Sequence, residues 1–211
     1  MLKLVVLISG TGSNLRALLE ALRDGVHPSA GSGASAGPAR RIDAEVVAIG
    51  ADSEAANLAL GDEFGIPTFV VRPRDYADRA AWGDALLERI ESYGPDLTVL
   101  SGFMRLVPPR VVAALSPRLL NTHPAHLPEF PGAHAVRDAL AAGARETGAT
   151  MMIVDNGVDT GPIIEQVRVP IHPDDSEQTL HERIKVVERR LLVDTVAGIA
   201  DGTINLEEIT A

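Results

Sequence analysis

The chain begins with a strand that is apolar on both faces and runs without a spacer into a glycine turn. Leu2-Lys3-Leu4-Val5-Val6-Leu7-Ile8-Ser9 is followed by Gly10-Thr11-Gly12-Ser13-Asn14, after which Leu15, Leu18, Leu19 and Leu22 recur at helical spacing. A strand without a polar face belongs inside a parallel sheet covered on both sides by helices. The order strand, tight turn, helix is the first unit of a layered α/β fold.

The rest of the chain alternates in the same way. Strands are expected at 44–49, 68–71, 97–101 and 119–122. Helices are expected at 53–64 with Ser53 as cap, at 76–93, at 108–115 begun by proline, and at 133–142. A late strand pair at 150–154 and 163–169 precedes a long terminal helix over 176–199. The expected architecture is α/β: a single doubly wound, mostly parallel, Rossmann-like sheet with an antiparallel strand pair near its end. Residues 27–41, rich in Gly, Ala and Ser between prolines, are expected to form a flexible surface loop inserted into one domain spanning 1–211.

Composition narrows the function. The 211 residues carry 19 basic and 29 acidic side chains, a formal net charge of −10, which disfavours non-specific binding to nucleic acid. Cysteine is absent, so disulfides, thiolate zinc sites and cysteine nucleophiles are excluded. No apolar run approaches the ~20 residues needed to span a bilayer. The apolar start lacks a basic leader and a cleavage site, so the expectation is a cytoplasmic protein with no membrane partner.

Three segments hold residue types suited to chemistry. The first is the glycine turn at 10–14, where a helix start would aim free N–H groups and the positive end of its dipole at an anion, most simply a phosphate. It lacks the Gly-Lys-Ser/Thr ending of a Walker loop and the third glycine of a dinucleotide fingerprint, so an ordinary strand–helix turn is the competing reading. The second is Asn121-Thr122-His123-Pro124-Ala125-His126-Leu127-Pro128, at the end of a parallel strand, the usual ligand edge of such a sheet. Asn121 and His123 leave an extended backbone on one face. An amide that can donate to an oxyanion beside an imidazole suits acyl transfer, although a rigid loop with one structural histidine is the simpler alternative. His126 and His134 are weaker candidates, and a metal site is not expected. The third is Val154-Asp155-Asn156-Gly157-Val158-Asp159-Thr160-Gly161-Pro162, whose carboxylates could orient an imidazole or cap a hairpin turn.

Together these strings, with Ser101-Gly102-Phe103-Met104-Arg105, resemble the phosphoribosylglycinamide formyltransferases of purine synthesis, over about Val5 to Ala200. The resemblance implies transfer of the formyl group of 10-formyltetrahydrofolate to the amine of glycinamide ribonucleotide. It implies that Asn121 stabilises the oxyanion of the tetrahedral intermediate, that protonated His123 adds charge and assists proton transfer, and that Asp159 orients His123. Gly12, Ser13 and Asn14 match the phosphate turn. Arg79, Lys185 and Glu188 match other substrate-contacting positions. Met104, Arg105, Leu106, Val107, Asn121, Asn156 and Val158 match the folate site. The implied partners are these two small molecules, and monomer and homodimer stay open. Two positions depart from the pattern: Met151-Met152-Ile153 stands where a histidine is frequent, and Lys185 where a neutral amide is common. A formyltetrahydrofolate deformylase and a non-catalytic nucleotide-binding module are the competing readings. A methionyl-tRNA formyltransferase would need a further RNA-binding domain.

Overall fold

The computed structural model describes residues 1–25, 41–54 and 56–210. The loop expected at 27–41 lies, apart from Arg41, outside the described residues. One seven-stranded sheet organises the rest, in the order β3-β2-β1-β4-β5-β6-β7. Its strands are β1 (Leu2–Ile8), β2 (Ala44–Ala51), β3 (Thr68–Val70), β4 (Leu97–Leu100), β5 (Leu119–His123), β6 (Glu146–Ile153) and β7 (Ile163–Pro170). The first five are parallel, and β6 and β7 join antiparallel, as expected from the sequence.

The apolar run at the start lies where its composition demands. Leu4 to Ile8 are all buried in β1, between β2 and β4. Alternation along the strand sends Leu4, Val6 and Ile8 into one core and Val5 and Leu7 into the other. The first core is covered by α1 (Ser13–Asp24) and α6 (Glu177–Asp201), through Leu15, Leu18, Leu180, Ile184 and Leu192. The second is covered by α3 (Arg79–Glu91) and α4 (Pro109–Leu115), through Trp82, Leu86, Val111 and Val112. Each large aliphatic side chain buried this way contributes about 1.5–3 kcal/mol, so a charge at Val6 would disrupt the sheet at its centre.

Two further helices complete the framework and a third was not foreseen. α5 (Ala135–Ala141) precedes β6, and α7 (Leu206–Thr210) closes the chain beyond the expected terminal helix. α2 is shorter than expected, spanning Ala59–Phe64, and it begins after Leu58 with no side-chain cap, so Ser53 is not its cap. The reason is a tertiary contact: Asn57 donates through its backbone N–H to the Gly10 carbonyl at 2.9 Å and through Nδ2 to the Thr11 carbonyl at 3.1 Å. The segment before α2 clasps the glycine turn, and those bonds replace another helical turn. At the other end, α6 begins with a capping box between Ser176 and Thr179.

Candidate active site

A cavity of about 590 Å³ opens beyond the C-terminal ends of β1, β4 and β5. Here β1 has β2 on one side and β4 on the other, so the chain leaves neighbouring strands in opposite directions, and the crevice between them is the usual binding place in a parallel sheet.

One wall is the turn between β1 and α1. Gly12 holds φ 68°, a conformation that favours glycine, and a Cβ there would stand 2.8 Å from Leu60 Cδ1, which would have to move aside. α1 starts with no side-chain cap and no acidic residue in its first turn. Its leading N–H groups are therefore open to a ligand from the cavity, which Gly12, Ser13 and Asn14 line. The turn is braced from both sides. Besides the clasp by Asn57, Ser9 N–H donates to the Gly102 carbonyl and Met104 N–H to Ser9 Oγ, at 3.2 and 2.9 Å.

The opposite wall carries the imidazole. His123 ends β5, and its side chain is only 5% exposed. Both ring nitrogens face acceptors: Nε2 lies 2.9 Å from the Phe130 carbonyl, and Nδ1 lies 3.3 Å from Asp159 Oδ2. The same Asp159 oxygen accepts the Gly132 N–H at 2.7 Å. Asp159 holds φ 53°, a region costly for a residue with a side chain, and the turn around it is fastened where Asp155 accepts from Thr160 Oγ1 and Gly157 N–H. The loop between them is pinned from beneath. Thr150 Oγ1 donates to the Ala125 carbonyl and accepts from Leu127 N–H, and Gln166 Nε2 donates to the Leu127 carbonyl.

Asn121 is half-buried in β5, lines the cavity, and pairs in register with Met152 of β6, which lines it too. A thioether thus lies across from the carboxamide where the resemblance had suggested a histidine. Met104, Leu106 and Val158 are exposed apolar residues of the lining, and buried Val107 joins them. Arg105 lines the cavity while its Nε donates to buried Asp52 Oδ2 at 2.6 Å.

α6 supplies the floor. Lys185 and Glu188 line the cavity, with Lys185 Nζ bonded to Glu182 at 2.7 Å. Glu188 is 5% exposed, and burial pushes its carboxyl up to about 7 against the opposing pull of the Asn14 side chain, Lys185, Arg189 and Thr122. It therefore faces the glycine turn at Asn14 and β5 at Thr122.

Of the residues singled out from sequence, all but four gather around this cavity. Arg79 instead starts α3 and donates to the Leu106 and Val107 carbonyls at 3.0 and 3.2 Å. Asn156 is exposed on the turn outside the lining. His126 and His134 are likewise outside it, and among the described residues no group of three or more His, Asp or Glu is placed to hold a metal ion. The sequence reading missed Thr122, the Phe130 carbonyl, Gly132 and His181, which also lines the cavity. His181 was detectable, because it falls one helical turn before Lys185.

The chain matches the family model described as Formyl transferase over residues 2–196. It is 48% identical over 198 residues to the phosphoribosylglycinamide formyltransferase of Mycobacterium tuberculosis (strain ATCC 25618 / H37Rv), covering 94% of this chain and 85% of that protein. A solved structure of glycinamide ribonucleotide transformylase 1 from Symbiobacterium toebii is similar with a TM-score of 0.86 and 37% identity, over 96% of this chain and 89% of that one. The phosphoribosylglycinamide formyltransferase of Coxiella burnetii is similar with a TM-score of 0.84 and 32% identity, over 95% of this chain and 88% of that one.

Proposed function

This chain belongs to the formyl transferase family, and from that premise we infer that it formylates glycinamide ribonucleotide in purine synthesis, with 10-formyltetrahydrofolate as the donor. The observation that carries the inference is the single cavity shared by the first turn of α1 and the Asn121, His123 and Asp159 side chains. One phosphorylated amine can reach both.

The phosphate sits on the N–H groups at Gly12, Ser13 and Asn14, where the dipole of α1 favours an anion. Lys185 and Glu188 address the ribonucleotide from α6, Glu188 on the ribose side and Lys185 toward the phosphate. The flat pterin lies against Met104, Leu106, Val107 and Val158, with backbone groups of the 104–107 segment fixing its orientation. Arg79 acts on this site indirectly, by holding the Leu106 and Val107 carbonyls.

The substrate amine attacks the formyl carbon, a C–N bond forms, and the carbonyl electrons move onto oxygen. Asn121 Nδ2 donates to that oxyanion. The Phe130 carbonyl only accepts, so His123 Nε2 donates to it, and Nδ1 donates to Asp159 when the ring is the imidazolium. The cation stabilises the intermediate across the cavity. Water relays the proton lost by the attacking amine to the Asp159 carboxylate and from there to N10, the oxyanion re-forms the carbonyl, and the bond from carbon to N10 breaks. Formylated ribonucleotide and tetrahydrofolate leave.

All described strands share one sheet, which supports one formyltransferase domain. No helix among the described residues is long and apolar enough to cross a membrane, and we place the enzyme in the cytoplasm with its two small-molecule substrates. The test is an assay of 10-formyltetrahydrofolate consumption with and without glycinamide ribonucleotide. The amine substrate should accelerate formyl loss by orders of magnitude and yield formylated product. Equal rates with and without it would establish a deformylase instead, and no loss of formyl group in either case would leave a binding module.

A further inference from the structure

α6 turns three titratable side chains toward the cavity. His181, Lys185 and Glu188 stand at i, i+4 and i+7, one face of a helix, and all three line the cavity together with the first turn of α1. Glu188 is deepest, fixed between Asn14 and Thr122. Lys185 lies a turn above it and His181 a further turn out. His181 is half-buried, and its ring makes no hydrogen bond with any described residue, whereas both nitrogens of His123 are engaged by protein groups. A half-buried imidazole facing a ligand cavity with both nitrogens free is available to a ligand.

Charge indicates which part of the ligand. A phosphomonoester carries about −1.5 to −2 at neutral pH. The end of α1 offers roughly half a positive charge, and its first turn holds no acidic side chain. Arg16, at the end of that turn, is held by Glu63 and Glu20. Arg105 is bound to Asp52. Lys185, itself bonded to Glu182, leaves the phosphate short of a matching charge, and His181 is its neighbour on the same face of α6.

We propose that His181 binds the substrate phosphate through a ring nitrogen alongside Lys185, completing a site made otherwise of α1 backbone groups. The proposal rests on the reading above that the cavity takes a phosphorylated ribonucleotide. In the free protein, burial and then the Lys185 charge hold the His181 imidazole below its ordinary range, while Glu182 and Glu177 pull it up. Across the cavity stand Asp155, Asp159 and Arg105, β5 presents His123 with the uncharged Asn121 and Thr122, and β6 presents Met152. The dianion therefore meets a neutral ring and draws a proton onto it, so binding takes up protons and weakens as pH rises.

The test compares wild type with His181→Ala and His181→Gln, after thermal melts establish that both fold. At about pH 6.5 the alanine variant should raise KM for glycinamide ribonucleotide about tenfold, leaving kcat and KM for 10-formyltetrahydrofolate within about twofold. Glutamine should restore part of the affinity but none of its pH dependence. Calorimetry with ribose 5-phosphate, in two buffers of different ionisation enthalpy, should show proton uptake by wild type only. A folded alanine variant with unchanged KM and unchanged ribose 5-phosphate affinity would overturn the proposal. Should wild type fail to formylate the ribonucleotide, the parent reading fails, and the sugar phosphate alone decides: tenfold weaker binding by His181→Ala supports the His181 site, while equal or absent binding overturns it.

Discussion

The two walls of the cavity are built by opposite means. The turn of β1 into α1 offers backbone N–H groups from residues adjacent in sequence, held by a glycine conformation and a clasp from Asn57. The facing wall offers side chains from distant segments: Asn121 and His123 at the end of β5, and Asp159 in the turn between β6 and β7. The first needs local geometry alone. The second exists only after the sheet has brought β5 beside antiparallel β6. Binding and chemistry should therefore be separable by mutation, with the largest losses of turnover on the side-chain wall.

The strongest test of that separation is Asn121→Ala. Removing the carboxamide donor should lower kcat by about 10²–10³, the loss typical of one oxyanion donor. KM for glycinamide ribonucleotide should stay within about threefold, because the backbone turn is untouched. Steady-state kinetics with both substrates would check this, and a KM effect larger than the kcat effect would erase the distinction between the walls.

Glu188 is the exception, because it touches both sides. Its carboxyl meets Asn14 on the α1 wall and Thr122 on β5. Burial raises it to about 7 from an ordinary 4.5. The sign follows directly. Below the unfolded value both states hold the proton, so the stability linked to it is fully present. As pH rises the unfolded chain releases the proton first, and stability is lost until pH passes the folded value. From about pH 5 to 8 this loss is about 2–3 kcal/mol. Glu188→Gln, neutral throughout, should show a flatter curve of urea midpoint against pH and exceed wild type at the alkaline end. Parallel curves for the two proteins would mean that the carboxyl is relieved by water and that the walls are joined by something else.

The same division explains what could be read from the sequence. The β1–turn–α1 unit was legible because apolar period, glycine spacing and helix start are local signals. The Asn121 and His123 pair was legible in part, since alternation along a strand and its position at a sheet edge are also local. The partners of His123 were not: the Phe130 carbonyl is a backbone acceptor with no residue signature, and its reach depends on a loop pinned by Thr150 and Gln166 from other strands. The length of α2 was misjudged because Asn57 has helix-compatible neighbours, yet its hydrogen bonds go to Gly10 and Thr11, far earlier in the chain. Arg79 was matched to substrate by family pattern, while in the structure its guanidinium bonds to backbone carbonyls.

On the backbone wall the corresponding change is Gly12→Ala. A side chain at φ 68° costs about 1–2 kcal/mol, and the new methyl would press on Leu60 at 2.8 Å. The melting temperature should fall by several degrees, and KM for the ribonucleotide should rise, with kcat at saturation kept within about threefold. Thermal melts and initial rates would check it. A collapse of kcat at saturating substrate would show that the turn positions the amine for attack as well as holding the phosphate.

Arg79 gives the smallest and most selective effect. It stands outside the cavity lining and reaches the pterin segment only through the Leu106 and Val107 carbonyls. An exposed charged donor of this kind contributes about 0.5–1 kcal/mol. Arg79→Ala should therefore raise KM for 10-formyltetrahydrofolate about threefold and leave the ribonucleotide KM and kcat unchanged. The alternative is direct contact of the guanidinium with a bound substrate. That would make the loss larger than about tenfold, because a charge-assisted bond to ligand would be removed along with the support of the loop. Saturation curves for the folate substrate, measured with wild type and Arg79→Ala side by side, separate a residue that shapes the wall from one that forms it.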